Sequence, residues 1–131
     1  MLKSARVLAT IPTQDLNRAK QFYADKLGLT PTEETPAGLV YQMDDGTGFL
    51  LFVSSGKASG GHTQMALDVD DIQAEVKELK ARGVQFEDYD FPGLKTVDSI
   101  ADVGSTKAAW FKDGDGNLIA IGLRVPVGAA R

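Results

Sequence analysis

Few side chains in this sequence can do acid-base, nucleophilic or metal chemistry, and their spacing limits what that chemistry would be. There is one histidine, His62, and no cysteine. An imidazole changes charge near neutral pH, so His62 is the natural general base if a proton is moved. It stands beside a glycine-rich stretch, however, and spacing assigns it neither a nucleophile nor a carboxylate partner. Asp68 is the nearest acid on its strand face, but each same-face step along a strand covers ~7 Å, too far for contact. The lack of cysteine removes thiolate nucleophiles, thiolate metal ligands and disulfides, and nothing calls for an oxidising compartment.

Two further patterns resemble ligand loops and fail on spacing. In Asp113-Gly114-Asp115-Gly116-Asn117 the glycine of a calcium loop would fall at Leu118 and its bidentate acid at Arg124, so the stretch reads as a hairpin turn. Around Gly56-Lys57 a phosphate loop would need glycine at Leu51 and a hydroxyl at Ala58. The run Phe86-Glu87-Asp88-Tyr89-Asp90-Phe91-Pro92-Gly93-Leu94 interleaves aromatics with acids and leads into an irregular stretch to Gly104. Such a segment is either a plain connector or a cover that favours an aromatic or cationic guest through ring faces and carboxylates.

The elements that would position these residues form a repeat. Ile11-Pro12-Thr13-Gln14-Asp15-Leu16 and Leu67-Asp68-Val69-Asp70-Asp71-Ile72 each end an alternating strand and open an amphipathic helix. The first helix runs from Asp15 to a stop at Gly28 and the second from Asp71 to Gly83, with Asp70 and Gln73 spaced as a capping box. Strands are expected over 29–34, 38–43 and 48–53, then around 84–86, over 107–112 and over 117–123. The pattern predicts one α+β domain over 1–131. Module one covers about 4–54, a polar linker 54–61, module two about 62–124, and a frayed tail 125–131.

Alternation sorts each strand into two faces. Val7, Ala9 and Ile11, then Met65, Leu67 and Val69, then Ile119, Ile121 and Leu123 form apolar faces expected to pack on the helices. The opposite faces, with Leu8 and Thr10, with His62, Gln64, Ala66 and Asp68, and with Leu118, Ala120 and Gly122, are mixed. A mixed face suits a ligand cleft, and equally an exposed sheet or a dimer contact. Phe49 shares its strand face with Leu51 and is expected to line the cavity; Trp110 and Tyr41 belong to the cavity or to the core.

Composition narrows the function classes. With 43% apolar and 24% charged residues the chain is of globular type, long enough to bury a core. A net charge of −4 with scattered cations argues against nucleic acid. No apolar run approaches a membrane span, and residues 1–6 lack the apolar stretch of a signal peptide, so a cytoplasmic location is expected.

The stretch from Ile11 to Tyr23 followed by Leu27-Gly28-Leu29 resembles the opening module of the glyoxalase, bleomycin resistance and extradiol dioxygenase superfamily, the vicinal oxygen chelate fold. Val69-Asp70-Asp71-Ile72, Leu79 to Val84 and Trp110 to Ile119 resemble its second half, with Gly114 where the family usually has proline. The resemblance spans about residues 4–123. It implies paired βαβββ modules whose curved sheet surrounds a cavity, commonly in a homodimer. It also implies that a divalent ion, in members using one, would be held at Leu8, Leu51, Gln64 and Ala120. Three of those four are apolar, and Gln64 with nearby His62 supplies at most half a site. No cofactor is therefore expected, with a divalent metal as the less favoured alternative.

The function expected from the resemblance is metal-independent binding of a small, partly apolar or antibiotic-like molecule. Leu8, Thr10, Phe49, Leu51, Gln64, Ala120 and Trp110 would contact it, Gln64 and Thr10 orienting it. The alternative is a lyase, isomerase or dioxygenase-type enzyme of the same superfamily, with or without a metal, using His62 or an acid of the 87–102 segment. A structural dimer with a vestigial cup is a third reading.

Overall fold

The same strand-helix-strand plan is laid down twice in the computed structural model, which describes residues 1–124; the expected tail 125–131 lies outside the described residues. After a 3₁₀ turn at Leu2–Ser4, module one contains β1 (Ala9–Thr13), α1 (Leu16–Leu27), β2 (Glu33–Thr35), β3 (Gly38–Gln42) and β4 (Gly48–Val53). Its sheet has the order β1-β4-β3-β2, with β1 parallel to β4 and the other pairs antiparallel. Module two contains β5 (Thr63–Val69), α2 (Ile72–Ala81), β6 (Asp90–Phe91), β7 (Leu94–Val97), β8 (Ile100–Val103), β9 (Thr106–Lys112) and β10 (Leu118–Leu123). Its order is β5-β10-β9-β8-β7-β6, again with the first strand parallel to the last. The two modules meet along β1 and β5.

Both helices start on an aspartate whose carboxylate accepts a backbone N–H of the first turn, Arg18 N–H for Asp15 and Ala74 N–H for Asp71. The second cap is thus Asp71 with Ala74, one residue later than the expected pairing of Asp70 with Gln73. Helix α1 ends on Gly28 in the left-handed region, φ 69°, where a side chain would strain the backbone. Helix α1 buries Ala19 and Tyr23, and α2 buries Ile72, Val76 and Leu79. With Ile11, Leu39, Tyr41, Phe49 and Leu51 from one sheet and Met65, Ala109, Phe111, Ile119 and Ile121 from the other, they form a single core.

A buried polar node ties the modules together beneath the β9–β10 turn. Asp113 Oδ2 accepts the Tyr23 hydroxyl at 2.7 Å and the Asn117 amide at 2.9 Å. Its Oδ1 accepts the backbone N–H groups of Asp115 and Asn117. The Asn117 amide also donates to the carbonyl of Pro12 at 2.9 Å, and Arg18 pairs with Asp115 at 2.7 Å. One carboxylate thus satisfies its own turn and reaches across to the helix of the other module.

Four expectations are corrected. The strand over 29–34 shrinks to Glu33–Thr35, and 84–86 contributes only the single bridge of Phe86 to Phe111. Residues 88–104 form a meander: β7 and β8 are paired, and a turn with left-handed Asp98 and Ser99 joins them. Val7, expected against the helices, is 87% exposed. No helix among the described residues is long and apolar enough to cross a membrane.

Candidate functional site

Strand register determines which side chains share a face, because residues paired across a ladder point the same way. In module one Ala9 pairs with Phe49, Ile11 with Leu51, Leu51 with Leu39, and Phe49 with Tyr41. This set is the core face: Leu51 and Ile11 are fully buried, and the Phe49 ring stacks on Tyr41 at 4.6 Å and lies 5.6 Å from Tyr23 of α1. Phe49 and Leu51 therefore stand on the other side of the sheet from Leu8 and Thr10, and the expectation that they line a common cup with those residues is corrected. The residues that do share the Thr10 face are Leu50, its ladder partner, together with Phe52 and Val40. Leu8 lies against the edge of the same face beside Gly48. Leu8, Leu50, Phe52 and Val40 are half-buried, while Thr10 is exposed.

In module two the face turned from the core follows from Ala120 pairing with Ala66 and with Trp110, and Gly122 with Asp68 and Ala108. Ala120 and Trp110 thus share one face. The register of β5 against β10 shifts between Leu118 and Ile119. Thr63 and Met65 pair across that shift, leaving Gln64 as the extra residue of a bulge. His62 is exposed just before β5. Leu8, Thr10, Ala120 and Trp110 are thus on the faces turned away from the core, with Gln64 at a bulge beside them.

Sequence reasoning missed Leu50 and Phe52, and it read Glu87, Tyr89 and Phe91 only as part of a connector or cover without assigning them a face. The backbone N–H of Glu87 donates to the Trp110 carbonyl, and Thr96 N–H donates to Tyr89 O, extending the pairing of β6 with β7 by one step. These pairings put Glu87, Tyr89 and Phe91 on the face of Trp110 and Ala120. Rings bear this out: Tyr89 meets Trp110 edge-on at 5.5 Å and Phe91 at 5.8 Å. Burial and the neighbouring Glu87 carboxylate push the Tyr89 phenol above its usual range. Glu87 is paired with Lys112 at 3.5 Å. No sequence signal separated Leu50 and Phe52 from Phe49 and Leu51, because β4 is apolar on both faces and Ile11 could take either leucine as its neighbour.

The donor chemistry does not fit the divalent ion used by metal-dependent members. Leu8, Ala120 and the β4 side chains Leu50 and Phe52 offer no lone pairs, and Gln64 offers one neutral oxygen. Among the described residues no three His, Cys, Asp or Glu side chains are grouped as an ion would require. Two surface depressions lie elsewhere, one by Pro12, Arg18, Lys57 and Asp115, the other by Lys20 and 30–34. Neither depression is lined by Leu8, Leu50, Phe52, Trp110 or Ala120.

Comparison with known proteins agrees with this architecture. The family model for the Glyoxalase/Bleomycin resistance protein/Dioxygenase superfamily matches residues 6–121. The protein YurT of Bacillus subtilis (strain 168) is 33% identical, over 88% of this chain and 95% of its own length. The fold is that of TnmS3, an antibiotic binding protein from Streptomyces sp. CB03234, with TM-score 0.65 and 24% identity over 95% of this chain and 99% of that one. A bleomycin-binding protein complexed with bleomycin superposes with TM-score 0.69 at 18% identity, over 93% and 100% of the two chains.

Proposed function

Because the chain belongs to the glyoxalase, bleomycin resistance protein and dioxygenase superfamily, we propose that it binds a small, partly apolar, antibiotic-like molecule without a metal ion and without transforming it. The observation that carries this reading is the composition of the faces turned from the core. They hold half-buried apolar side chains, Leu8, Leu50, Phe52 and Trp110, interrupted by few polar groups, where an ion would need convergent donors. Two structural relatives are described as an antibiotic binding protein and a bleomycin-binding protein, which supports the same reading. His62 is exposed and, among the described residues, belongs to no group of three His, Cys, Asp or Glu side chains that could hold an ion.

An open floor binds weakly, since a guest must lose water on both sides to gain from burial. A second copy of the chain is the proposed cover, giving a homodimer that acts in the cytoplasm. The experiment is a thermal-shift screen of antibiotics and metabolites, run with and without chelator, on protein whose mass in solution is measured in parallel. The expected result is a dimer stabilised by particular apolar compounds, equally with and without chelator. A stoichiometric ion that raises the melting temperature and is needed for binding overturns the metal-free reading. Turnover of a compound that stabilises the protein overturns the binding-only reading.

A further inference from the structure

On the module-two face, the aromatic rings and the Asp68 carboxylate sit at opposite ends of a floor of small residues. Trp110, Tyr89 and Phe91 form a continuous edge-on run, with centroid separations of 5.5 and 5.8 Å, and its outer member Phe91 is 53% exposed. The run is held from behind: Tyr89 N–H donates to Thr96 Oγ1 at 2.9 Å, and Thr96 N–H donates back to Tyr89 O at 2.9 Å. Beside it Ala120, Ala66, Ala108 and Gly122 carry nothing larger than a methyl, so the floor is flat. At the far edge stands Asp68. A methyl added at Gly122 would lie 2.6 Å from Asp68 Oδ1, so this carboxylate leans over the floor.

Charge separates the two acids of this face. Glu87 is engaged by Lys112 at 3.5 Å. Among the described residues Asp68 has no ion-pair partner; the nearby Arg124 pairs with Asp70 and reaches only the main-chain carbonyl of Asp68, at 3.5 Å. Asp68 and Trp110 are separated by two strand spacings across the sheet and two residues along it, roughly 12 Å in all, which a fused-ring system with a cationic substituent can span. We infer that this face takes a flat aromatic molecule carrying a cationic group, its rings lying on the alanine floor against Trp110, Tyr89 and Phe91 and its cation at Asp68. The inference rests on the ligand-binding reading above and narrows it to one chemical class. Ring edges meeting a flat guest supply shape and quadrupole contacts, and the carboxylate supplies the charge preference.

Trp110 is the only tryptophan in the chain, so its fluorescence reports this face alone. The test titrates the protein with proflavine, a planar cation, with an anthracene sulfonate, a planar anion, and with cyclohexylammonium, a cation that is not planar. The complex with proflavine should quench Trp110 saturably and, confirmed by calorimetry, bind at least about fivefold more tightly than either control, the size of an exposed charge or ring contact. Asp68→Asn should abolish the preference for the cation, and Phe91→Ala should weaken both planar compounds. Both substituted residues are exposed, so folding is preserved. Equal affinity for the three probes, or binding of proflavine indifferent to Asp68→Asn, overturns the inference. If other compounds stabilise the protein through Leu50 and Phe52 while proflavine does not bind, this chemical class is refuted and the ligand-binding reading stands. If Phe91→Ala only dissociates a dimer, the ring run is a subunit contact and the inference is refuted.

Discussion

Replacing each of two adjacent leucines, Leu50 and Leu51, by alanine tests the assignment of the sheet faces directly. Leu51 is fully buried between Ile11 and Leu39 on the core face. Truncation there removes three carbons from a site enclosed on every side, and Leu51→Ala should cost about 2–5 kcal/mol, transfer and cavity terms together. For a domain of this length one kcal/mol moves the melting temperature by about 4 °C, so a fall of about 8–20 °C is expected. Leu50 is only half-buried and faces away from the core, so Leu50→Ala should cost less than about 1 kcal/mol in the uncovered chain. Urea unfolding of the two variants at matched protein concentration is the assay, with the midpoint shifting at constant slope. In the ligand screen the order should invert, Leu50→Ala weakening binding more than Leu51→Ala does. A slip of one residue in β4 would exchange every side chain between the faces. Equal costs, or a larger cost for Leu50→Ala, would therefore refute the face assignment and everything built on it.

Two further outcomes follow from the buried phenols. Tyr23→Phe leaves the Asp113 carboxylate short of its 2.7 Å hydroxyl donor, so it should destabilise the protein by about 1.5–3 kcal/mol, measured as a melting temperature lower by about 6–12 °C. Burial raises the Tyr41 phenol from 10 to about 12; burial and then the Asp113 carboxylate raise Tyr23 further. Folded-state values above the unfolded ones mean that the native state holds these protons longer. Their contribution is intact below pH 10 and is lost as pH rises above it, through pH 12 for Tyr41. The two phenols together should lower stability by about 2–3 kcal/mol between pH 9 and pH 11, and Tyr41→Phe should remove about half of that fall in urea unfolding curves.

Where alternation was strong, the strands and their faces were readable before any coordinates. Ile11, Met65, Ile119 and Ile121 are in the core, as their patterns required, and the aspartate-to-glycine bounds of α1 hold to the residue. The strand Gly48–Val53 reads Gly-Phe-Leu-Leu-Phe-Val, apolar on both faces, so periodicity carries no orientation there. Only its ladder partners settle which leucine is inside, and those are remote in sequence. The 88–104 meander was illegible for another reason. Its strands are two to four residues long, shorter than a pattern window, and the turn between β7 and β8 uses Asp98-Ser99 in the left-handed region instead of the usual asparagine-glycine or aspartate-glycine signal. The aromatics and acids of that segment were visible as types, but their faces were not.

The same physics accounts for how the two sides of these sheets divide their work. The core side carries the groups that cannot change without loss: a single apolar cluster from both modules, and the node in which Asp113 binds Tyr23 and Asn117 while Asn117 binds the Pro12 carbonyl. A hydrogen bond to a buried charge is directional and costly to leave unmade, so this node fixes one module against the other. The opposite side has no such constraint. Leu50, Phe52, Ala66 and Trp110 take no part in the node or the core cluster, so substitutions there leave the fold standing. A surface relieved of structural duty can vary while the fold is kept, and the fold is indeed shared with structures that have at most a quarter of their residues in common with this chain. Guest specificity should accordingly transfer with the residues of the outer faces alone, without altering the node.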